Sequence, residues 1–407
     1  MPNQKRIVLL TSKDNFVWTS MQEIIPMIER SWSELAKKEN YSLTTINVDD
    51  SLPSQFMPAL ISSDLIVISC FNTKIARFIK MIRESYKIDT PFFFYLHGLA
   101  TIGLWPLERF GVLSLFTSND LFIGTCEGDL ESMKISFENA RTQKIPFTIS
   151  NSPMLHDHLS ASAPFVYIGR ISPQKNLDQL ITAYSDLPLS IRENHPLYLY
   201  GNEDHLGYPN IGQKENTYLE KLERLVQTLD LKDQVTFKGF VNRLDIQKEL
   251  GSNYIFVSPS THSDENFGMA AFRALLSGAT CVLSDWGGHK EYKNHYPDHI
   301  YYVTPLLTDT GPIIPLKQFT ETLLLAVRER QQGQPGFPDA FSMETIHSLL
   351  KNEMARLPLQ NESLKPKSLA QILIFQQKNF ESQEDIQRCF HSFSDPAFIS
   401  FFKAYAK

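Results

Sequence analysis

The chain has 407 residues, 42% of them hydrophobic, and its 39 basic against 45 acidic side chains give a formal charge of −6. That length implies two domains of ordinary size, each able to bury its own core, and the mild acidity excludes the electrostatic footprint of a general nucleic-acid binder. No apolar run approaches the roughly eighteen residues of a membrane-spanning helix, and MPNQKRIVLLTS at the N-terminus is too short for a secretory signal, so the expectation is a cytoplasmic protein.

Short apolar, β-branched or aromatic runs punctuate residues 1–150: RIVLLTS at 6–12, SLTTINV at 42–48, DLIVISC at 64–70, PFFFYLH at 91–97 and DLFIGTC at 120–126. They are continuous rather than alternating, as strands covered on both faces should be. Helical patterns lie between them, from Met21 to Lys37 and from Lys74 to Glu84. Alternating strands and helices predict an α/β, Rossmann-like domain with a parallel sheet. The segment Lys74 to Lys87 spaces Lys74, Arg77, Lys80, Arg83 and Lys87 by three or four residues opposite an apolar face. Such a helix is read either as a solvated outer helix or as a basic face for peripheral contact with an anionic membrane.

A polar stretch with a proline, SNSPMLHDHLSASA, closes this half, and residues 151–163 are assigned as the linker. The alternation then restarts with PFVYIGRIS, LYLYG at 197–201, a helix near Asn216 to Leu229, VTFKGFV at 235–241, YIFVSPS at 254–260, a helix from about Gly268, ATCVLSD at 279–285 and IYYV at 300–303. Residues 164–355 therefore form a second Rossmann-like domain, and 356–407 a helical segment. In that segment Phe390, Phe393, Phe398, Phe401 and Phe402 suit the buried stripe of a terminal helix. Cys70, Cys126, Cys281 and Cys389 lie far apart with no zinc spacing, and are read as small buried thiols in a reducing compartment.

Two segments carry chemistry. In YIGRISPQKN a strand ends at Gly169, and Arg170 and Lys175 follow just before a helix opens. A forked donor, a point charge and helix N-terminal amides together suit a diphosphate at the carboxyl edge of an open sheet. In SPSTHSDENFGM a polar loop carries Asp264 and Glu265 ahead of Gly268, where a missing side chain lets a ligand approach the helix start. Glu265 is placed to accept hydrogen bonds from sugar hydroxyls, or else to complement the helix dipole. Asp285, Gly287 and Gly288 then mark a turn before Glu291, two glycines after a strand implying a close backbone approach. His262 and His289 are read as loop histidines.

The words GRISPQKN, ENFGM, the SG before a strand, and SDWGG followed by HKE resemble the donor-binding half of the retaining glycosyltransferases of family 4. The match is close over 165–291 and architectural elsewhere. The resemblance implies the GT-B fold, two Rossmann-like domains facing across a cleft with C-terminal helices packing back on the N-terminal, acceptor-side domain. It implies transfer of a sugar from a nucleotide-diphosphate donor, a UDP- or GDP-sugar, to a hydroxyl of a carbohydrate or lipid-linked acceptor. Neither a metal nor another cofactor is expected. By the same resemblance Arg170 and Lys175 hold the diphosphate, Glu265 contacts the transferred sugar, and Gly169, Asn266, Phe267, Gly268 and Met269 lie against the donor. His97, at the end of PFFFYLH, matches a histidine that meets the donor sugar; its structural reading is a ring satisfied by backbone. Arg273 stands where the family carries a second glutamate that accepts from the ribose, and a guanidinium only donates. A weakened or altered donor site follows, or a catalytically silent relative acting as a binding or partner subunit. A sugar-nucleotide epimerase would require acid/base groups that the sequence does not supply.

Overall fold

The computed structural model describes residues 4–14, 19–50, 53–97, 107, 110–149, 162–203, 217–261, 265–308, 311–331, 335–357, 361–367, 400 and 403–406. The chain divides into two units, one of residues 1–150 with 338–380 and one of residues 151–337 with 381–407.

In the first unit β1 (Arg6–Thr11), β2 (Ser42–Asn47), β3 (Leu65–Ile68), β4 (Phe92–Tyr95), β5 (Leu121–Gly124) and β6 (Arg141–Lys144) pair in parallel in the order β2-β1-β3-β4-β5-β6. Every residue of β3, β4 and β5 is buried, as their unbroken apolar runs require of strands with both faces covered. Strand β6, RTQK, is half-buried throughout at the sheet's edge, and its polar sequence carries no strand pattern. Helices α1 (Thr19–Glu39), α2 (Met57–Ile61), α3 (Thr73–Lys80) and α4 (Glu127–Ser136) complete the alternation.

Of the basic residues spaced over 74–87, which the sequence reads as a solvated outer helix or a basic face, Arg83 does not lie on the surface. Helix α3 gives way to a wider π turn at Met81–Ser85, which rotates Arg83 inward. Its guanidinium bonds the fully buried Asp120 at 2.7 Å and lies 3.9 Å above the centre of the Phe92 ring. Lys74 is held by Asp14 at 2.9 Å and Asp49 at 3.3 Å. Among the described residues no helix is long and apolar enough to cross a membrane.

In the second unit β7 (Phe165–Ile168), β8 (Leu197–Tyr200), β9 (Val235–Gly239), β10 (Ile255–Ser258), β11 (Thr280–Ser284) and β12 (Ile300–Val303) form a parallel sheet ordered β12-β11-β10-β7-β8-β9. Counted from β7 this is the Rossmann order, with the direction of winding reversing between β7 and β10. Helices α5 (Leu177–Ser185), α6 (Leu189–Asn194), α7 (Thr217–Thr228), α8 (Arg243–Leu250), α9 (Met269–Leu276), α10 (Gly287–Lys290) and α11 (Leu316–Arg328) connect or cover the strands. Leu180 and Ile181 of α5, Leu222 of α7 and Leu323 of α11 share one buried core with Tyr167, Leu199, Val257 and Val282 of the sheet. A small antiparallel hairpin, β13 (Leu306–Thr308) with β14 (Gly311–Ile313), follows β12 and has no counterpart in the strand pattern.

Helix α12 (Met343–Ala355) belongs to the first unit, which corrects the expectation that residues 164–355 form the second domain. Its inward side chains explain the difference. His347 Nε2 donates to the Ser31 carbonyl of α1 at 2.9 Å, and Glu353 accepts from Arg141 of β6 at 2.6 Å. Residues 361–367 continue along the same unit, with Ser118 N donating to the Glu362 carbonyl and Lys367 N to that of Ser136. The last described residues lie instead in the second unit, where the Tyr405 ring stacks on Trp286 with centroids 6.2 Å apart. Of the expected terminal stripe, Phe390, Phe393, Phe398, Phe401 and Phe402 lie outside the described residues, as does most of the assigned linker.

Gly201 ends β8 at φ +142°, and a Cβ there would fall 1.8 Å from the Gly169 carbonyl oxygen. Gly239 ends β9 at φ +64°, and a Cβ there would meet nothing within 4 Å. Gly201→Ala is therefore expected to destabilise the protein well beyond the roughly 1 to 3 kcal/mol of a strained backbone, whereas Gly239→Ala should cost only about 1 to 2 kcal/mol. Urea denaturation of the two variants beside the parent checks the ranking.

Candidate functional site

The loops that leave β7 and β10 meet at the reversal point of the second sheet, where ligands of open α/β sheets bind. The first loop turns at Gly169. A Cβ there would lie 2.6 Å from the Tyr167 hydroxyl, which itself donates to the Arg170 carbonyl at 2.7 Å. Arg170 follows, half-buried. Lys175 closes a 3-10 turn, and Asn176 adopts the left-handed conformation at φ 53° before α5 begins. Asparagine tolerates that conformation better than most residues, and its side-chain amide donates across to the Pro259 carbonyl at 2.8 Å and the Thr261 hydroxyl at 2.9 Å. These bonds stitch the β7 loop to the β10 loop.

The centre of the site is an ion pair. Lys175 Nζ lies 2.8 Å from Glu265 Oε2, with both side chains only 11% exposed, and 3.4 Å from the Ser260 hydroxyl. Neither charge is placed there at low cost: taking each out of water costs several kcal/mol and is compensated only by close pairing. The Glu265 carboxylate is tied to the β7 loop through Lys175.

Helix α9 starts beside this pair. Gly268 is its N-cap at φ +71° and supplies no side-chain cap to the first turn, and the opening amides of any helix lack intrahelical acceptors. Asn266 is half-buried, Phe267 buried, and Met269 and Arg273 share the half-exposed face of α9 with Ala270. Arg273 thus stands one turn into the helix. Asp264 and His262 lie outside the described residues.

The two glycines of the SDWGG segment have a structural cause. A Cβ on Gly287, which sits at φ +49°, would fall 2.4 Å from the Glu265 carbonyl, and one on Gly288 would fall 2.4 Å from the Asn266 carbonyl. Their backbone packs directly on the Glu265 loop, and Gly288 N donates to the Glu265 carbonyl at 2.7 Å. His289 is no loop histidine, contrary to the expectation from sequence. It stands on α10, 1% exposed, with Nε2 3.5 Å from Glu265 Oε1 and Nδ1 3.1 Å from the Ser284 hydroxyl. The signal in the sequence is its place directly after the paired glycines, which lie against the Glu265 loop.

His97 belongs to the first unit, just past β4 at φ 45°. Nε2 lies 2.7 Å from the Ser69 carbonyl, so it must carry the hydrogen, and Nδ1 is left as an acceptor. The ring stacks between Tyr95 and Phe147, and desolvation by these neighbours lowers its pKa to about 4 against the opposing effect of the Ser69 bond.

Residues 160–305 match the family model described as glycosyl transferases group 1. The chain is 31% identical over 172 residues to an uncharacterized glycosyltransferase, YqgM, of Bacillus subtilis, a match covering 40% of this chain and 42% of that one. It is 32% identical over 121 residues to the mannosylfructose-phosphate synthase of Agrobacterium fabrum, covering 30% and 25% respectively. The matched segments span less than half the length of these curated relatives. The fold is that of the GT-B glycosyltransferases: Anabaena Alr3699/HepE, solved in complex with UDP, superposes with a TM-score of 0.60 over 86% of this chain and 100% of its own, at 17% identity. The lipopolysaccharide outer core galactosyltransferase WaaB superposes with a TM-score of 0.57 over 86% of this chain and 99% of its own, at 12% identity.

Within this segment, Lys175→Met leaves Glu265 buried without its cation and is expected to cost about 3 to 5 kcal/mol. Lys175→Met combined with Glu265→Leu should recover most of that loss, since an apolar pair carries no desolvation penalty. Urea melts of the single and double variants test this. In the first unit, a folded pKa near 4 against an ordinary 6.5 means the unfolded chain binds a proton first as pH falls. The contribution of His97 to stability is therefore complete above about pH 6.5 and declines down to about pH 4. His97→Gln should flatten the pH dependence of Tm across that window relative to the parent protein.

Proposed function

We propose that this protein is a retaining glycosyltransferase of family 4, moving a sugar from a nucleotide-diphosphate donor to a hydroxyl of a carbohydrate or lipid-linked acceptor in glycan or glycolipid biosynthesis. The observation that carries the reading is the Lys175–Glu265 pair at the reversal point of the second sheet, beside a helix that opens on a left-handed glycine. A cation for phosphate, a carboxylate for hydroxyls and the amides of a helix N-terminus stand together where a nucleotide sugar would lie. The UDP held by the superposable HepE supports a nucleotide donor.

In this mechanism Arg170, Lys175 and the first amides of α9 grip the donor diphosphate, with Gly169 and Phe267 to Met269 permitting close backbone approach. The bond between the anomeric carbon and the phosphate oxygen breaks, and its electron pair stays with the departing diphosphate. The acceptor oxygen bonds to the same face of the carbon, and its proton passes to an oxygen of the leaving phosphate. Positive charge aimed at the departing group supplies most of the stabilisation. Glu265 accepts from the sugar hydroxyls.

Arg273 favours a second reading, a silent relative that binds without turning over. It presents only donors from the half-exposed face of α9, where the family resemblance places an acceptor for the ribose. A thermal-shift screen with UDP, GDP, ADP and their sugars separates the two. A ligand at about 100 times its Kd stabilises by about 2.7 kcal/mol. Stabilisation with release of the nucleoside diphosphate in the presence of acceptor supports the transferase, and Lys175→Ala should then lower kcat by about 10²- to 10³-fold. Stabilisation without turnover, with turnover restored by Arg273→Glu, supports the silent relative. No response to any of the nucleotides would favour a binding or partner subunit over both.

A further inference from the structure

We propose that Tyr292 is a positioning residue whose hydroxyl holds the Phe267–Gly268 peptide with its N–H turned toward the donor diphosphate. The assignment rests on the reading in which the first amides of α9 grip that diphosphate.

Tyr292 follows α10 and is fully buried. Its hydroxyl donates to the Phe267 carbonyl. The Gly268 carbonyl lies 3.4 Å from the same hydroxyl oxygen and accepts from Phe272 N at 2.9 Å. Two successive carbonyls are thereby engaged on one side of the chain. In a trans peptide the N–H points away from the C=O, so the Gly268 and Met269 amides are turned to the other side. That side is the opening of α9, where amides have no acceptor within the helix and where Gly268, Met269 and Ala270 are half-exposed.

The two amides differ in what holds them. The bond from Phe272 N fixes the Gly268–Met269 peptide as part of the helix, whereas the Phe267–Gly268 peptide precedes the first helical bond. Its orientation is set by ψ of Phe267 and φ of Gly268, and glycine takes either sign of φ readily. Glycine at this position therefore does not itself decide which end of the peptide faces the ligand. The Tyr292 hydroxyl decides it, since turning the peptide over would leave that buried donor without the carbonyl and aim a carbonyl oxygen at the phosphate. The ring is held where the bond requires it. It stacks on Phe272 with centroids 5.3 Å apart and meets the Phe267 ring edge-on at 6.1 Å. Burial, joined by the Glu265 carboxylate, pushes the phenol well above its ordinary pKa, so the hydroxyl keeps its hydrogen and remains a donor.

Tyr292→Phe removes the hydroxyl and keeps the ring. Tyr254→Phe is the control, because its buried hydroxyl bonds Ser277 Oγ at 3.1 Å at the C-cap of the same helix, and its loss loosens α9 from the far end. In the full chain, Kd is measured by calorimetry for whichever of UDP, GDP and ADP the parent binds, and for inorganic pyrophosphate, which carries the charge without base or sugar. Tyr292→Phe is expected to raise both Kd values on the order of 10-fold, as the loss of one hydrogen bond to a charged group does. Tyr254→Phe should change either value by less than about twofold. If Tyr292→Phe binds both ligands like the parent, weakens the nucleotide alone, or weakens both no more than the control does, the assignment is overturned while the donor-site reading stands. If the parent binds none of the nucleotides, the donor-site reading fails and the assignment fails with it. Should Tyr292→Phe not fold, a crystal structure of the parent with the nucleoside diphosphate decides. Gly268 N within hydrogen-bond distance of a phosphate oxygen is the expected result, and an amide directed away from the phosphates overturns the assignment.

Discussion

An ammonium and a carboxylate held almost out of water at the edge of a parallel sheet constrain everything built around them. Lys175 and Glu265 are 90 positions apart in sequence and meet because β7 and β10 are neighbours in the sheet. Either charge alone would be costly in that place, so the loops must stay in register for the pair to persist. The crossing bonds from Asn176 to Pro259 and Thr261 keep that register. A site whose two charged groups are supplied by different loops is thereby as rigid as the strands that carry them.

The glycines act on the same constraint from the backbone side. Gly201 permits the approach of the β8 end to Gly169, and Gly287 and Gly288 permit the approach of α10 to residues 265 and 266. Each lies where a Cβ would strike a carbonyl rather than a flexible side chain, so the surroundings have no inexpensive adjustment. Glycine here creates close packing of main chain on main chain, and the loop that bears Glu265 is supported from beneath. What a ligand meets is a surface whose shape is set by these contacts.

How much of this is legible in the sequence depends on whether the physical cause is local. The continuous apolar runs of β3, β4 and β5 and the strand-to-glycine-to-cation order after β7 are local patterns, and the strands and loops lie where they imply. Strand β6 is invisible to such a reading because an edge strand half-exposed on its faces needs no apolar run, and RTQK has none. The hairpin β13–β14 leaves Leu306, Leu307 and Ile313 substantially exposed, so its residues form no buried face for a pattern to register. Helix α12 is recognisable as helix, but its unit is decided by what meets His347 and Glu353, which are partners more than 200 positions away. The basic spacing over 74–87 misleads for a related reason. Periodicity describes an ideal helix, and one wider turn moves Arg83 into the core beside Asp120.

The same distinction accounts for the uneven reach of the likeness to known glycosyltransferases. Likeness of fold extends over 86% of the chain at 17% identity, whereas the family match is confined to residues 160–305. A buried parallel strand accepts any mixture of Val, Ile, Leu and Phe of suitable volume, so a sheet persists while its letters change. A loop that must present a cation at one position, a carboxylate at another and no Cβ at a third has far fewer solutions. Arg273 departs from the family pattern within this narrow set, yet it stands one turn into α9, and Lys175 and Glu265 are seated by Ser260 and the backbone of Gly288. The substitution therefore alters what the outer face of α9 offers a ligand, while the charged pair keeps its own support.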